Sequence, residues 1–124
     1  MKNLIFVIIL LFSFSCKKET TEPIGNILTV ERFKEGITSD NIQLIDVRTA
    51  EEYFEGYIDE AQHMDILELE EFETQIQSLD KSKPIYLYCR SGNRSQKAAE
   101  ILKKEGFIEI NDLKGGYQAW AEQN

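Results

Sequence analysis

Apolar residues along this chain fall into short runs, separated by stretches in which apolar positions recur every three or four residues. That alternation predicts strands alternating with helices. Ile27-Leu28 reads as a short strand, with Thr29 capping a helix over "VERFKEG". Ile42–Val47, "IQLIDV", reads as a second strand, after which Thr49 or Ala50 opens a short helix through "EEYFEGY". Ala61–Met64 reads as a third strand, and Asp65 as the cap of a helix over "ILELEEFETQIQSL". In it Ile66, Leu69, Phe72, Ile76 and Leu79 stand at helical spacing. Ile85–Tyr88 is a fourth strand, and Ser95 opens the helix "QKAAEILKKEG", which Gly106 stops. Phe107–Asn111 is the last strand and "GYQAWAEQ" the last helix. Regular alternation of this kind implies an α/β fold: a mostly parallel central sheet of about five strands with helices on both faces. Ligands of open α/β sheets bind outside the carboxyl ends of the strands. Cys89 lies at one such end, and Asp46 and Arg48 at another.

The first residues follow a different pattern. Lys2 precedes the unbroken apolar run Leu4–Phe12, then Ser13-Phe14-Ser15-Cys16. A basic start, an apolar stretch and small residues before a cut site describe a secretory signal. The run is too short for a membrane span, which needs about 20 residues. The tetrad ending at Cys16 resembles a bacterial lipobox, although Phe14 is bulky and Ser13 stands where Leu is commonest. It implies cleavage before Cys16 and lipidation of that cysteine, with acyl chains anchoring the protein. The expected organisation is a signal over 1–15, a lipidated cysteine and polar tether over 16–25, and one folded domain over 26–124. The expected location is the extracytoplasmic face of a bacterial envelope, facing the periplasm.

Composition narrows the functional classes. The 124 residues carry 42% hydrophobic and 29% charged positions, which fits one globular domain. A net charge of -8 argues against a general nucleic-acid binder. There are only two cysteines. With Cys16 acylated, Cys89 is left as an unpaired thiol in an oxidising compartment. One free Cys and the single histidine, His63, do not make a metal site of usual ligand number. His63, at the tail of a short strand, is read as structural, so cysteine–histidine hydrolysis is disfavoured.

Against this acidic background, positive charge gathers at "YCRSGNRS". A strand ends at Cys89, a loop turns through Gly92, and a helix begins near Ser95. Successive backbone N–H groups in such a loop form an anion nest, and the helix start adds to the field. Arg90 and Arg94 add full charges. Each of these favours thiolate, the nucleophilic form, over thiol.

Three motifs in one order then carry a family resemblance. "LIDVRTAEEYFEGYIDEA", "YCRSGNRS" and "LKGGYQAW" together resemble a single-domain rhodanese, a sulfurtransferase, from about Ile27 to Ala121. Tyr57 stands where the family usually has His, Glu60 where it has Gly, and His63 where it has Asn. The resemblance implies that Cys89 takes the outer sulfur of thiosulfate or a similar donor as a persulfide. It then passes that sulfur to cyanide or a thiol, with no cofactor. It implies that Arg90 and Arg94 attract the anionic donor, and that the amides of Ser91, Gly92, Asn93, Arg94 and Ser95 hold the transferred sulfur. Asp46 and Arg48 are expected to brace the loop. Related phosphatases and arsenate reductases use Cys-x5-Arg, whereas Arg94 gives Cys-x4-Arg, a loop sized for one sulfur. A persulfide carrier or interaction module of the cell envelope, meeting a protein donor or acceptor, is the alternative reading.

Overall fold

A computed structural model describes residues 22–124. The expectations for the signal, Cys16 and most of the tether lie outside the described residues. Five strands, β1 (Asn26–Leu28), β2 (Gln43–Asp46), β3 (Gln62–His63), β4 (Ile85–Tyr88) and β5 (Ile110–Leu113), form one sheet in the order β1-β5-β4-β2-β3. Every neighbouring pair is parallel. The helices are α1 (Val30–Gly36), α2 (Ala50–Glu55), α3 (Leu69–Gln75), α4 (Asn93–Lys104) and α5 (Gly116–Gln123). The α/β class and the parallel sheet therefore match the reading of the sequence.

Alternation along the central strands builds two cores. Ile45, Val47, Ile85, Leu87 and Cys89 face one cluster, with Phe72, Ile76, Ala98, Ala99 and Leu102 of the α3–α4 side. Leu44, Tyr86 and Tyr88 face the other, with Val30, Phe33, Leu113 and Trp120. Phe33 centres the second core, edge-on to Tyr86, Tyr88 and Trp120 at ring distances of 5.4, 6.5 and 6.4 Å. Edge-to-face contact suits the ring quadrupoles and adds to plain burial.

Local capping fixes the helix ends. The Thr29 hydroxyl accepts from the Arg32 amide. Thr49 and Glu52 form a reciprocal capping box that opens α2. Several boundaries differ from the sequence reading. α4 begins at Asn93, two residues early, because Gly92 at φ +108° lets the chain turn straight into the helix. Its end is a Schellman closure: Gly106 N–H donates to the Lys103 carbonyl and Phe107 N–H to that of Leu102. Phe107 is consumed in that closure, so β5 runs over Ile110–Leu113 instead of Phe107–Asn111. α3 covers only Leu69–Gln75, with a 3-10 turn over Ile76–Ser78. Ile66 is buried in the approach to α3, and Asp65 accepts from the Leu67 amide in a turn instead of capping the helix. β3 is reduced to the edge pair Gln62–His63.

Candidate active site

The carboxyl ends of β2, β4 and β5 converge on Cys89, which follows β4 directly. The thiol is 1% exposed, beneath the turn formed by Arg90, Ser91 and Gly92. Its sulfur accepts from the Gly92 amide at 3.0 Å and donates to Ser95 Oγ at 3.4 Å. Arg90, Ser91 and Asn93 are exposed. The loop carbonyls are held from behind: Tyr117 N–H donates to the Cys89 carbonyl at 2.8 Å and Gln118 N–H to that of Arg90 at 3.0 Å. These amides belong to the first turn of α5, where helix N–H groups lack partners within the helix. Gly116 makes the approach possible. A Cβ there would come within 2.5 Å of the Cys89 carbonyl oxygen, and its φ is +61°. This is what the Gly-Gly of "LKGGYQAW" does in the fold.

Arg94, expected to attract an anionic donor, is paired with an acid, and the side chain of Ser95 points into the core. Arg94 sits in the first turn of α4 and grips Glu52 with both terminal nitrogens, at 2.6 and 2.9 Å. Those bonds hold the Glu52 carboxyl down at about 2 and raise the Arg94 guanidinium above its usual value, with the field of Cys89 adding to the rise. Arg94 is thus within the electrostatic reach of the sulfur, but its charge is already matched. Ser95 is fully buried and turns inward, donating to Asp112 Oδ2 at 2.9 Å, so its hydroxyl lies behind the sulfur. Gln96 also donates to Oδ2, at 2.7 Å, and exchanges two hydrogen bonds with the Ile24 backbone.

Asp46 and Arg48 form a buried pair. Arg48 Nε and Nη2 donate to the Asp46 carboxylate at 3.0 and 2.7 Å, and Nη2 also donates to the Gly56 carbonyl at 2.6 Å. Burial opposes the Arg48 charge, but the bonds and field of Asp46 win and raise its pKa. The guanidinium lies 4.1 Å from the Tyr117 ring centre. The pair ties β2 to the end of α2 and meets the cysteine loop's surroundings through the rings of Tyr117 and Tyr88. His63 does not touch Cys89: its Nε2 meets the Arg48 carbonyl at 2.7 Å and its ring stacks on Tyr53. Tyr57 stacks on the same ring at 4.2 Å, so two of the three departures from the family pattern belong to one aromatic stack.

An open cavity of about 400 Å³ lies over this region, lined by Arg48, Glu52, Glu55, Arg90, Tyr117 and Gln118. A larger cleft of about 770 Å³, lined by Asp40, Gln43 and Glu60 among others, contains no cysteine or histidine. The sequence reading missed Glu52, Glu55 and Asp112. Glu52 was legible only as the fourth residue of "TAEE", a capping-box spacing, and Asp112 only as an acid within an otherwise strand-like run.

A parallel α/β domain with a buried cysteine at a strand end, cradled by a glycine turn and a helix start, is the architecture of a sulfur- or oxyanion-handling domain. The chain belongs to the rhodanese-like domain family, which matches residues 29–123. It is 40% identical to the uncharacterised protein YqhL of Bacillus subtilis, covering 75% of this chain and 70% of that one. It is 36% identical to the thiosulfate sulfurtransferase GlpE of Coxiella burnetii, over 64% of this chain and 72% of that one. It is 34% identical to the putative sulfur carrier protein YrkF of Bacillus subtilis, over 75% of this chain but only 49% of that one. A rhodanese-related protein from Thermoplasma volcanium superposes with a TM-score of 0.69 at 30% identity, covering 80% of this chain and 93% of that one. The domain is thus a member of a sulfurtransferase family.

Proposed function

We propose that this domain moves a sulfane sulfur from thiosulfate or a similar donor to a thiophilic acceptor through a persulfide on Cys89. The Cys89 thiolate attacks the outer sulfur of thiosulfate. The S–S bond breaks, and sulfite leaves with the bonding pair. An acceptor, cyanide in an assay or a thiol in a cell, then attacks the outer sulfur of the persulfide and Cys89 departs as thiolate. This is two-step covalent catalysis. The observation that carries it is the Gly92 amide on the Cys89 sulfur within a Cys-x4-Arg loop, too short to encircle a phosphate in the way of Cys-x5-Arg. Arg90, exposed at the mouth, is the cation with which an anionic donor would first pair. The purified domain is expected to release thiocyanate from thiosulfate and cyanide, and Cys89→Ser to release none. Wild-type protein inert toward every sulfane donor would reject the proposal.

One observation favours the carrier reading as the cellular role. Glu52 neutralises Arg94, and Glu55 lines the same cavity, so the mouth has little net attraction for a small dianion. YrkF, named a putative sulfur carrier, is among the relatives. Faster loading from a protein persulfide than from thiosulfate would support carriage, and the reverse order would exclude it. The signal-like start and Cys16 support an envelope location with a lipid anchor. In that reading Cys16→Ala shifts the protein from the membrane to the soluble fraction, and retention in the membrane contradicts it.

A further inference from the structure

Asp112 is a buried acid that the sulfur-transfer chemistry above leaves unused. It occupies the middle of β5, 2% exposed, between Ile27 of β1 and Leu87 of β4 in register. Among the described residues Oδ1 is buried with no hydrogen-bond partner of full geometry, although the Leu113 amide lies near enough to favour the charged form. Oδ2 accepts from Gln96 and from Ser95, and Ser95 in turn accepts from the Cys89 thiol. Thiol, hydroxyl and carboxylate therefore form one donor–acceptor chain, running from the reacting sulfur into the core. A lone buried carboxylate is costly, and an orphaned oxygen on it marks either strain or a role.

We propose that Asp112 takes up the Cys89 proton through Ser95 and holds it in the core while the sulfur reacts. The S–H bond breaks as its proton binds Ser95 Oγ, and the Ser95 proton passes to Asp112 Oδ2. Thiol plus carboxylate becomes thiolate plus carboxylic acid, the net charge is unchanged, and no further reactant is needed. The reverse shift restores the resting pair. Asp112 never touches substrate; it is a positioning residue that sets the protonation of Cys89.

The surroundings suit this exchange. Burial pushes the Asp112 carboxyl up to about 6, against the pull of its Gln96, Ser95 and Leu113 donors, which brings it closer to the thiol range. The groups that face its carboxylate are the Gln96 amide, the Ser95 hydroxyl and the Leu113 backbone N–H. On the sulfur side the charged neighbour is Arg94, paired with Glu52 and also under the influence of Asp65. The field of Arg94 favours the thiolate and so helps the proton leave the sulfur.

The inference rests on Cys89 as the reacting atom, and its test is independent of any sulfur donor. Two groups sharing one proton titrate as a pair. Between about 6, where Asp112 loses its own proton, and the ionisation of the thiol, the thiolate fraction of the pair is independent of pH. The rate of Cys89 alkylation by iodoacetamide, read from about pH 5 to about pH 9, is expected to level off over that interval in the wild type. In Asp112→Asn and Ser95→Ala it is expected to rise about tenfold per pH unit with no level region short of the final plateau of a simple thiol. Ser95→Thr keeps the hydroxyl and is expected to restore the level region. A wild-type profile with the same slope as Asp112→Asn would overturn the proposal, as would a level region that persists in Ser95→Ala. Because the wild type alone must show the level region, a variant that fails to fold does not rescue the idea. Absence of thiocyanate formation beside an intact level region would instead reject the sulfur-transfer reading and leave the relay standing.

Discussion

Arg94 carries a full charge within the field of Cys89 but gives both terminal nitrogens to Glu52. A fork-to-fork pair of this kind is geometrically fixed, and losing one partner leaves the other uncompensated. Arg94→Ala therefore does more than remove an attraction for an anionic donor. It also exposes the Glu52 carboxylate at the mouth. The expected result is a fall in kcat/KM for thiosulfate of more than about tenfold, with Glu52→Gln in the Arg94→Ala background recovering part of it. Additive losses in this double-mutant cycle would show that the pair does not act as a unit. Glu52→Gln alone keeps the capping geometry at Thr49 and frees the guanidinium, so its KM for thiosulfate is expected to fall.

At the scale of elements, the site depends on α5 approaching the back of the cysteine loop. Gly116→Ala introduces a Cβ against the Cys89 and Arg90 backbone at a left-handed φ. It is expected to cost about 2 kcal/mol or more in urea unfolding and to displace the loop. Unchanged stability together with unchanged activity would count against the support assigned to α5. The element order was legible because apolar runs and helical spacing repeat strongly from Ile27 onward. β4 and α5 match the sequence reading residue for residue. Two of the misread boundaries have plain causes. Gly92 is punctuation whose meaning depends on φ, and Phe107 is apolar both as a strand start and as a helix-closing residue. The cysteine loop was legible for the same reason as the strands, since its chemistry is contiguous in sequence. The partners Glu52 and Asp112 lie 42 and 17 residues from the loop positions they meet, and only the fold brings them there.

For the whole molecule, the carboxyls of Glu52 and Asp112 pull stability in opposite directions with pH. Glu52, held at about 2 against an ordinary 4.5, contributes stability above 4.5 that is lost as the pH falls toward 2. Asp112, raised to about 6 against an ordinary 3.8, binds its proton more tightly folded than unfolded. Its contribution is therefore present below 3.8 and lost as the pH rises through about 6. Asp112→Asn removes that second dependence. Its Tm relative to wild type is expected to rise from pH 4 to about 6 and to level off above it. A constant difference across that interval would mean that Asp112 is not held protonated by the fold. The same buried carboxyl thus costs stability near neutral pH and sits behind the reactive sulfur, a trade often found at functional sites.

The central claim is that Cys89 itself carries the transferred sulfur. Intact mass spectrometry of the purified domain after incubation with thiosulfate tests it most directly. The account predicts a mass gain of one sulfur atom, located on the peptide containing Cys89, removed by cyanide and absent in Cys89→Ser. An unchanged mass after incubation with thiosulfate and with a protein persulfide, or a gain that persists in Cys89→Ser, would contradict it.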